Sequence, residues 1–386
     1  MHMTTLHSNA SPAGNPIAAL QRYGQAIWLD FISRKMITSR QLARLVDDDG
    51  VAGVTSNPTI FEKAIDGSDD YATQIEDIRR ESPELPARQL YERLVIKDIQ
   101  DAADVLRGTY DRTRGADGFV SIEVSPGVAN DTNATVAEAR HLWEVVARPN
   151  VMIKVPGTAA GVDAVRVLTA EGINVNITLL FGRGMYEAVA GAYIEGLEDR
   201  VRLYDGDKAV ERIASVASFF VSRIDTAVDK LLDEKLTRAT GAERQRLERL
   251  YGKTAIANAR LAYQSYKRIF SGPRWEALAA RGARRQRLLW ASTSVKNPRY
   301  RDVMYVEELI GADTINTMPI ETLAAFRDHG RARPSLEADL KEAEATLAEL
   351  AAVGISLREV TDHLIDDGIQ KFQEPFDKLL ASLAIR

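Results

Sequence analysis

Val151-Met-Ile-Lys-Val-Pro-Gly-Thr158 has the length of a buried strand, and a lysine stands in its middle. Alternation puts Val151, Ile153 and Val155 on one face and Met152 and Lys154 on the other. Burying an ammonium costs roughly several kcal/mol unless it is paired or gives up its proton. Pro156 and Gly157 end the strand, so Lys154 lies near its C-terminal mouth. A strand lysine is ordinarily salt-bridged or snorkelling. The other strands of this chain argue for a different use.

Seven further strands are expected, at Ala26–Phe31, Gly50–Thr55, Phe119–Val124, Ile173–Thr178, Ile213–Phe219, Leu288–Ser292 and Thr314–Thr317. Helical patterns separate them. Thr38 or Ser39 is placed to cap a helix reaching about Asp48, Asn130 or Asp131 another reaching Ala147, and Thr158–Ala170 reads as a third. Parallel β/α crossovers follow from this alternation, and a single (β/α)8 TIM barrel accounts for the strand count; an open doubly wound sheet is the alternative. No Gly-x-Gly-x-x-Gly or Walker-type loop follows any strand, which weakens a nucleotide-binding reading. The polar stretch Met1–Pro16 reads as a disordered leader before a barrel domain at 17–386. Residues 224–285 read as a helical insertion and residues 334–386 as C-terminal helices. The last helix carries a stripe of Leu364, Ile365, Ile369, Phe372, Phe376, Leu379 and Leu383 that should dock on the body.

The net charge of -5 gives no sign of nucleic-acid or anionic-membrane binding, and no apolar run reaches the roughly 20 residues of a membrane span. There is no cysteine, so disulfides and thiolate metal sites are excluded; a reducing, cytoplasmic compartment suits this composition. His2, His7, His141, His329 and His363 have no ligand spacing, so no metal is expected. Arg281, Arg284, Arg285 and Arg287 read as a solvated face. The chain is expected as a monomer or homodimer.

Several strands carry polar residues on one face. Ser121 and Glu123 oppose Val120 and Ile122; Asn174, Asn176 and Thr178 oppose Val175 and Ile177. Thr55 ends the second strand beside Asn57, and Ser292 is in phase with Trp290. Helix-facing positions of a barrel must be apolar, so the polar set should point to the axis. Asp30, Thr55, Asn57, Glu123, Lys154, Asn176, Thr178, Ser218 and Ser292 all fall at C-terminal strand ends, where such barrels hold their sites.

One buried lysine among carboxylates and hydroxyls suits Schiff-base chemistry: an unprotonated amine attacks a ketone, and the iminium accepts electrons during C–C cleavage. Two more groups are needed, one to shuttle protons during imine formation and one to take the proton of the hydroxyl that becomes a carbonyl. Glu123 and Asp30 are the carboxylates in phase with Lys154; spacing does not say which does which.

Val54-Thr-Ser-Asn-Pro-Thr-Ile-Phe61 resembles the Thr-Ser/Thr-Asn-Pro signature of transaldolases. Ile153-Lys-Val-Pro-Gly-Thr158, followed by Gly172-Ile-Asn-Val-Asn-Ile-Thr-Leu-Leu-Phe181, resembles their lysine signature. The likeness runs from about Trp28 to Glu321 and is greatest to the larger bacterial, actinobacterial-type members. It implies that Lys154 forms the Schiff base, that Glu123 is the acid/base working through a water, and that Asp30 is the base at the C4 hydroxyl. Thr55, Asn57, Asn176 and Thr178 would orient water and substrate hydroxyls. Ser218-Phe-Phe-Val-Ser-Arg223 resembles the family's Ser-x-Phe-x-x-Arg segment, which implies Phe220 in the pocket and Arg223 on the substrate phosphate. Fructose-6-phosphate aldolases, a shorter sister group, carry Gln in place of Glu123 and Tyr in place of Phe220. The family's Phe-Arg after the strand-seven serine is missing here: Ser292-Thr-Ser-Val-Lys-Asn297 offers Lys296 as a point charge instead of a fork.

The resemblance implies a cofactor-free enzyme of the non-oxidative pentose phosphate pathway. It would move a dihydroxyacetone unit from sedoheptulose 7-phosphate or fructose 6-phosphate to glyceraldehyde 3-phosphate or erythrose 4-phosphate. An aldolase releasing free dihydroxyacetone and a non-catalytic sugar-phosphate-binding barrel are the alternatives; binding alone needs neither a buried lysine nor two carboxylates. Transfer also requires that water be kept from the enamine, and the sequence shows no lid for that purpose.

Overall fold

A computed structural model describes residues 15–204 and 210–385. Eight parallel strands close into a barrel in sequence order: β1 (Gln25–Leu29), β2 (Val51–Val54), β3 (Phe119–Glu123), β4 (Val151–Pro156), β5 (Val175–Leu180), β6 (Ser215–Phe220), β7 (Arg287–Ala291) and β8 (Thr314–Met318). β8 pairs with β1, so no edge is left open. The barrel is thus the arrangement in place of the open sheet.

Around it lie α1 (Pro16–Arg22), α2 (Arg34–Thr38), α3 (Gln41–Asp49), α4 (Pro58–Asp66), α5 (Ala72–Glu81), α6 (Ala87–Arg112), α7 (Thr132–Val146), α8 (Ala159–Glu171) and α9 (Arg183–Leu203). The second half adds α10 (Ser222–Leu236), α11 (Gly241–Glu248), α12 (Thr254–Ile269), α13 (Pro273–Ala279), α14 (Met304–Glu308), α15 (Ile320–His329), α16 (Leu340–Ala352) and α17 (Leu357–Ala384). Asp131 accepts from the Ala134 N–H to start α7, and Thr158 from the Gly161 N–H to start α8. A Cβ at Gly161 would lie 1.9 Å from the Pro156 carbonyl oxygen, so only glycine lets α8 turn this closely off the lysine strand.

Register carries the face pattern around the barrel. Glu123 pairs with Lys154, Lys154 with Asn176 and Pro156 with Thr178, so these side chains share the inner face. Val120, Ile122, Val151 and Ile153 are buried against the helices.

Some expectations change. Ser33 caps α2 through the Met36 N–H, and left-handed Arg40 precedes α3; neither Thr38 nor Ser39 caps the helix to Asp49. Of the expected leader, residues 1–14 lie outside the described residues. Asn15 caps α1 and Pro16 is its first residue, so these two belong to the fold. Ser292 is not in phase with the inner face, because Trp290 pairs with Phe219 and packs against it on the helix side. Ser292 reaches the mouth beyond the strand end with φ at 55°. Arg287 is not part of a solvated face: it forms an ion pair with Asp117, which also accepts from the Trp28 indole. The residues read as an insertion include α12, which packs on α9 and α16 and so belongs to the outer layer.

α17 lies across the barrel mouth, touching α4, α6, α10 and β5. Its apolar stripe is spent on its own chain, with Leu364, Phe372, Phe376, Leu379 and Leu383 buried. Among the described residues no helix is long and apolar enough to cross a membrane.

Candidate active site

Lys154 enters the mouth from β4 and is 4% exposed. Its Nζ lies 2.9 Å from Glu123 Oε2 and donates to the Ser56 carbonyl at 3.0 Å. Oε2 is buried, and Lys154 is its ion-pair partner. Burial pushes the Glu123 carboxyl above its ordinary value; the Lys154 charge opposes this and the Asp30 charge adds to it. Burial thus favours the protonated form of this carboxyl more than exposure would, while Lys154 favours the carboxylate.

Asp30 lies one residue past β1. Thr55 Oγ1 donates to Asp30 Oδ1 at 2.7 Å and lies 2.9 Å from Thr317 Oγ1. The Thr55 hydroxyl therefore orients the carboxylate, and Thr317 in turn contacts Thr55. Across the mouth, Ser218 Oγ donates to Asn176 Oδ1 at 2.7 Å, and Asn176 Nδ2 donates to Ser121 Oγ at 2.9 Å. The Thr178 hydroxyl is buried and has no protein partner. Asn57 is committed in part elsewhere: its Oδ1 accepts the Ile60 N–H and caps α4, which leaves its Nδ2 for other contacts.

Arg223 opens α10 and stacks on Phe220, with Cζ 5.1 Å from the ring centroid. Burial lowers its guanidinium from the usual value, against Asp367, Asp30 and Glu123. Ser292 faces Ser222, their hydroxyls 3.0 Å apart. Lys296 is exposed overall, and its Nζ donates to Ser294 Oγ at 2.7 Å. Its ammonium is nonetheless partly desolvated, and this, then the Arg223 charge, pushes it below the ordinary lysine value. Arg223 and Lys296 line one cleft of about 1140 Å³ between α10 and α17, together with Lys230, His363, Asp367 and Lys371.

The structure thus joins Lys154 with Glu123, Asp30 with Thr55, and Asn176 with Ser218. Arg223 and Lys296 line the adjoining cleft, and both feel the Asp30 charge. Sequence reasoning missed the Ser56 carbonyl, Thr317 and Phe372. Thr317 had a signal, a hydroxyl at the end of the eighth strand. Phe372 had none, because its stripe reads as ordinary core. Among the described residues, no three His, Cys, Asp or Glu side chains are grouped to hold a metal ion.

A closed parallel barrel with one lysine ion-paired to a carboxylate inside its mouth defines a class, the barrels equipped for chemistry through a lysine amine. A family model described as Transaldolase/Fructose-6-phosphate aldolase matches residues 27–383. A transaldolase of Thiobacillus denitrificans is 49% identical over 364 residues, spanning 94% of this chain and 98% of its own length. Transaldolase 2 of Nostoc sp. is 48% identical over 373 residues, with 96% and 97% covered. A transaldolase of Frankia alni is 46% identical over 371 residues, with 96% and 97% covered. The chain belongs to the transaldolase/fructose-6-phosphate aldolase family.

Proposed function

We propose that this chain is a transaldolase, and that the 2.9 Å pair of Lys154 and Glu123 inside the barrel is its reaction centre. The donor, fructose 6-phosphate or sedoheptulose 7-phosphate, presents its C2 ketone to the Lys154 amine. Glu123, its carboxyl raised by burial, gives and takes the protons of carbinolamine formation and dehydration. The position implied for it includes a bridging water, and the unpartnered Thr178 hydroxyl fits the same polar wall. Asp30, held by Thr55, takes the proton of the C4 hydroxyl as the C3–C4 bond breaks. The electron pair of that bond passes into the iminium, giving an enamine. Glyceraldehyde 3-phosphate or erythrose 4-phosphate leaves.

An acceptor aldehyde then takes the place of the first. The enamine carbon attacks it, Asp30 returns the proton to the new alkoxide, and water hydrolyses the resulting iminium to free the product and Lys154. Asn176, Ser218 and Asn57 serve the substrate hydroxyls. Arg223, Lys296 and Ser292 serve the phosphate, and Phe220 forms the wall between. Glu123 and Phe220 favour transfer over the sister aldolase activity, whose enzymes resemble this chain less at those two positions. Sugar-phosphate substrates and the absence of cysteine fit a cytoplasmic enzyme.

The test is a transfer assay. Fructose 6-phosphate with erythrose 4-phosphate should yield sedoheptulose 7-phosphate and glyceraldehyde 3-phosphate. Lys154→Met should abolish the exchange; exchange that survives in this variant would remove the lysine from the reaction.

A further inference from the structure

Transfer and release diverge after the first aldehyde has left. In transfer, the nucleophilic C3 of the enamine attacks a second aldehyde. In release, C3 takes a proton from water instead, a water oxygen adds to C2 of the iminium, the C2–N bond breaks, and dihydroxyacetone and the free lysine amine result. Both routes use water at C2. Only release uses a proton at C3, so water must be kept from the seat the first aldehyde vacates.

Phe372 projects from α17 into that region. It is 4% exposed, its ring centroid is 5.5 Å from Lys154 Nζ, and it is 5.9 Å from Arg223 Cζ. A donor bound through C2 to Lys154 and through its phosphate to Arg223 must pass beneath this ring with the carbons between. Phe220 stacks on Arg223, and Phe181 packs on Phe220 at 5.2 Å, so Phe372 and Phe220 both face Arg223 and Phe181 backs the second of them. These rings offer water no hydrogen bond.

The helix is seated to hold the ring there. Gly368 shares a face with Phe372 one turn earlier. A Cβ at Gly368 would lie 2.8 Å from Leu179 Cδ2, with Leu179 fully buried just past Thr178 on β5. At the far end Lys378 pairs with Glu62, Ser382 donates to Asp66 at 2.7 Å, and Arg79 donates to the Leu383 carbonyl at 2.9 Å.

We infer that Phe372 is a specificity-determining residue that keeps water from C3 of the enamine. This rests on the transaldolase reading. The experiment uses the full chain with fructose 6-phosphate and erythrose 4-phosphate. It measures free dihydroxyacetone against sedoheptulose 7-phosphate, with borohydride trapping on Lys154 in parallel. Phe372→Ala should raise the release-to-transfer ratio by about tenfold or more while the Lys154 adduct still forms. If Phe372→Ala does not fold, Phe372→Val, which shortens the side chain while keeping it apolar, should move the ratio in the same direction.

An unchanged ratio in variants that still trap overturns the inference. Loss of the adduct in a folded Phe372→Ala protein overturns it too, since the ring would then serve imine formation. Absence of an adduct in the unaltered protein would instead refute the transaldolase reading itself.

Discussion

Asp30→Asn separates the roles of the two carboxylates. Thr55 Oγ1 donates to Asp30 Oδ1 at 2.7 Å, and an asparagine Oδ1 accepts the same bond. Shape and the Thr55–Thr317 contact are therefore kept, and stability should change by no more than about 1 kcal/mol. What is lost is the base at the C4 hydroxyl. General base catalysis contributes about a hundred- to ten-thousandfold, or roughly 3–5 kcal/mol of barrier. Imine formation depends on Glu123 and Lys154, whose contact the substitution leaves in place; losing the Asp30 charge removes only one contribution to the upward push on Glu123. The variant should thus form the Schiff base and stall before cleavage. Incubation with fructose 6-phosphate and borohydride, followed by peptide mass spectrometry, should find the intact six-carbon phosphate on Lys154. The unaltered protein should instead carry a three-carbon unit. Cleavage at an undiminished rate in Asp30→Asn, or an adduct of three carbons, would refute the assignment.

Glu123→Gln should slow adduct formation itself, by about a hundred- to ten-thousandfold in single-turnover trapping, whereas Asp30→Asn spares that step. Lys296→Ala should raise KM for fructose 6-phosphate by about tenfold or more, as expected for a lost charged hydrogen bond, with Lys296→Arg restoring it; an unchanged KM would leave the phosphate to Arg223. Burial pushes the Asp225 carboxyl up to about 7, with the Ala255 N–H and the Tyr305 hydroxyl opposing. Its folded value exceeds its unfolded one, so its share of stability is whole below pH ~4 and is lost as pH rises through about 7, a difference on the order of a few kcal/mol. Asp225→Asn, in which the Tyr305 hydroxyl can turn to accept, should flatten the fall in Tm between pH 5 and 8. An equally steep fall in the variant would contradict this.

The barrel was legible because strand alternation and strand-to-helix succession are local. Lys154 and Glu123 stood out as charges on the face that a parallel sheet must turn inward, and their pairing follows from register between adjacent strands. Ser292 was misread because alternation was extended past the strand end, where one left-handed residue resets the direction. Asn57 was legible as polar near the mouth, but its capping bond depends on where α4 begins. Phe372 was out of reach for a different reason. A phenylalanine in a helical apolar stripe looks the same whether it fills a core or roofs an active site, and only the path of α17 across the mouth distinguishes them. Arg287 looked like one of a basic surface cluster because its partner, Asp117, comes from the distant turn before β3.

The central claim is that a covalent imine forms on one lysine inside the barrel. Its most direct test is borohydride reduction of the unaltered protein with fructose 6-phosphate, with every lysine peptide mapped by mass spectrometry. A reduced three-carbon adduct on Lys154 alone is the predicted result. A folded protein that acquires no adduct, or carries it on another lysine, would contradict the account.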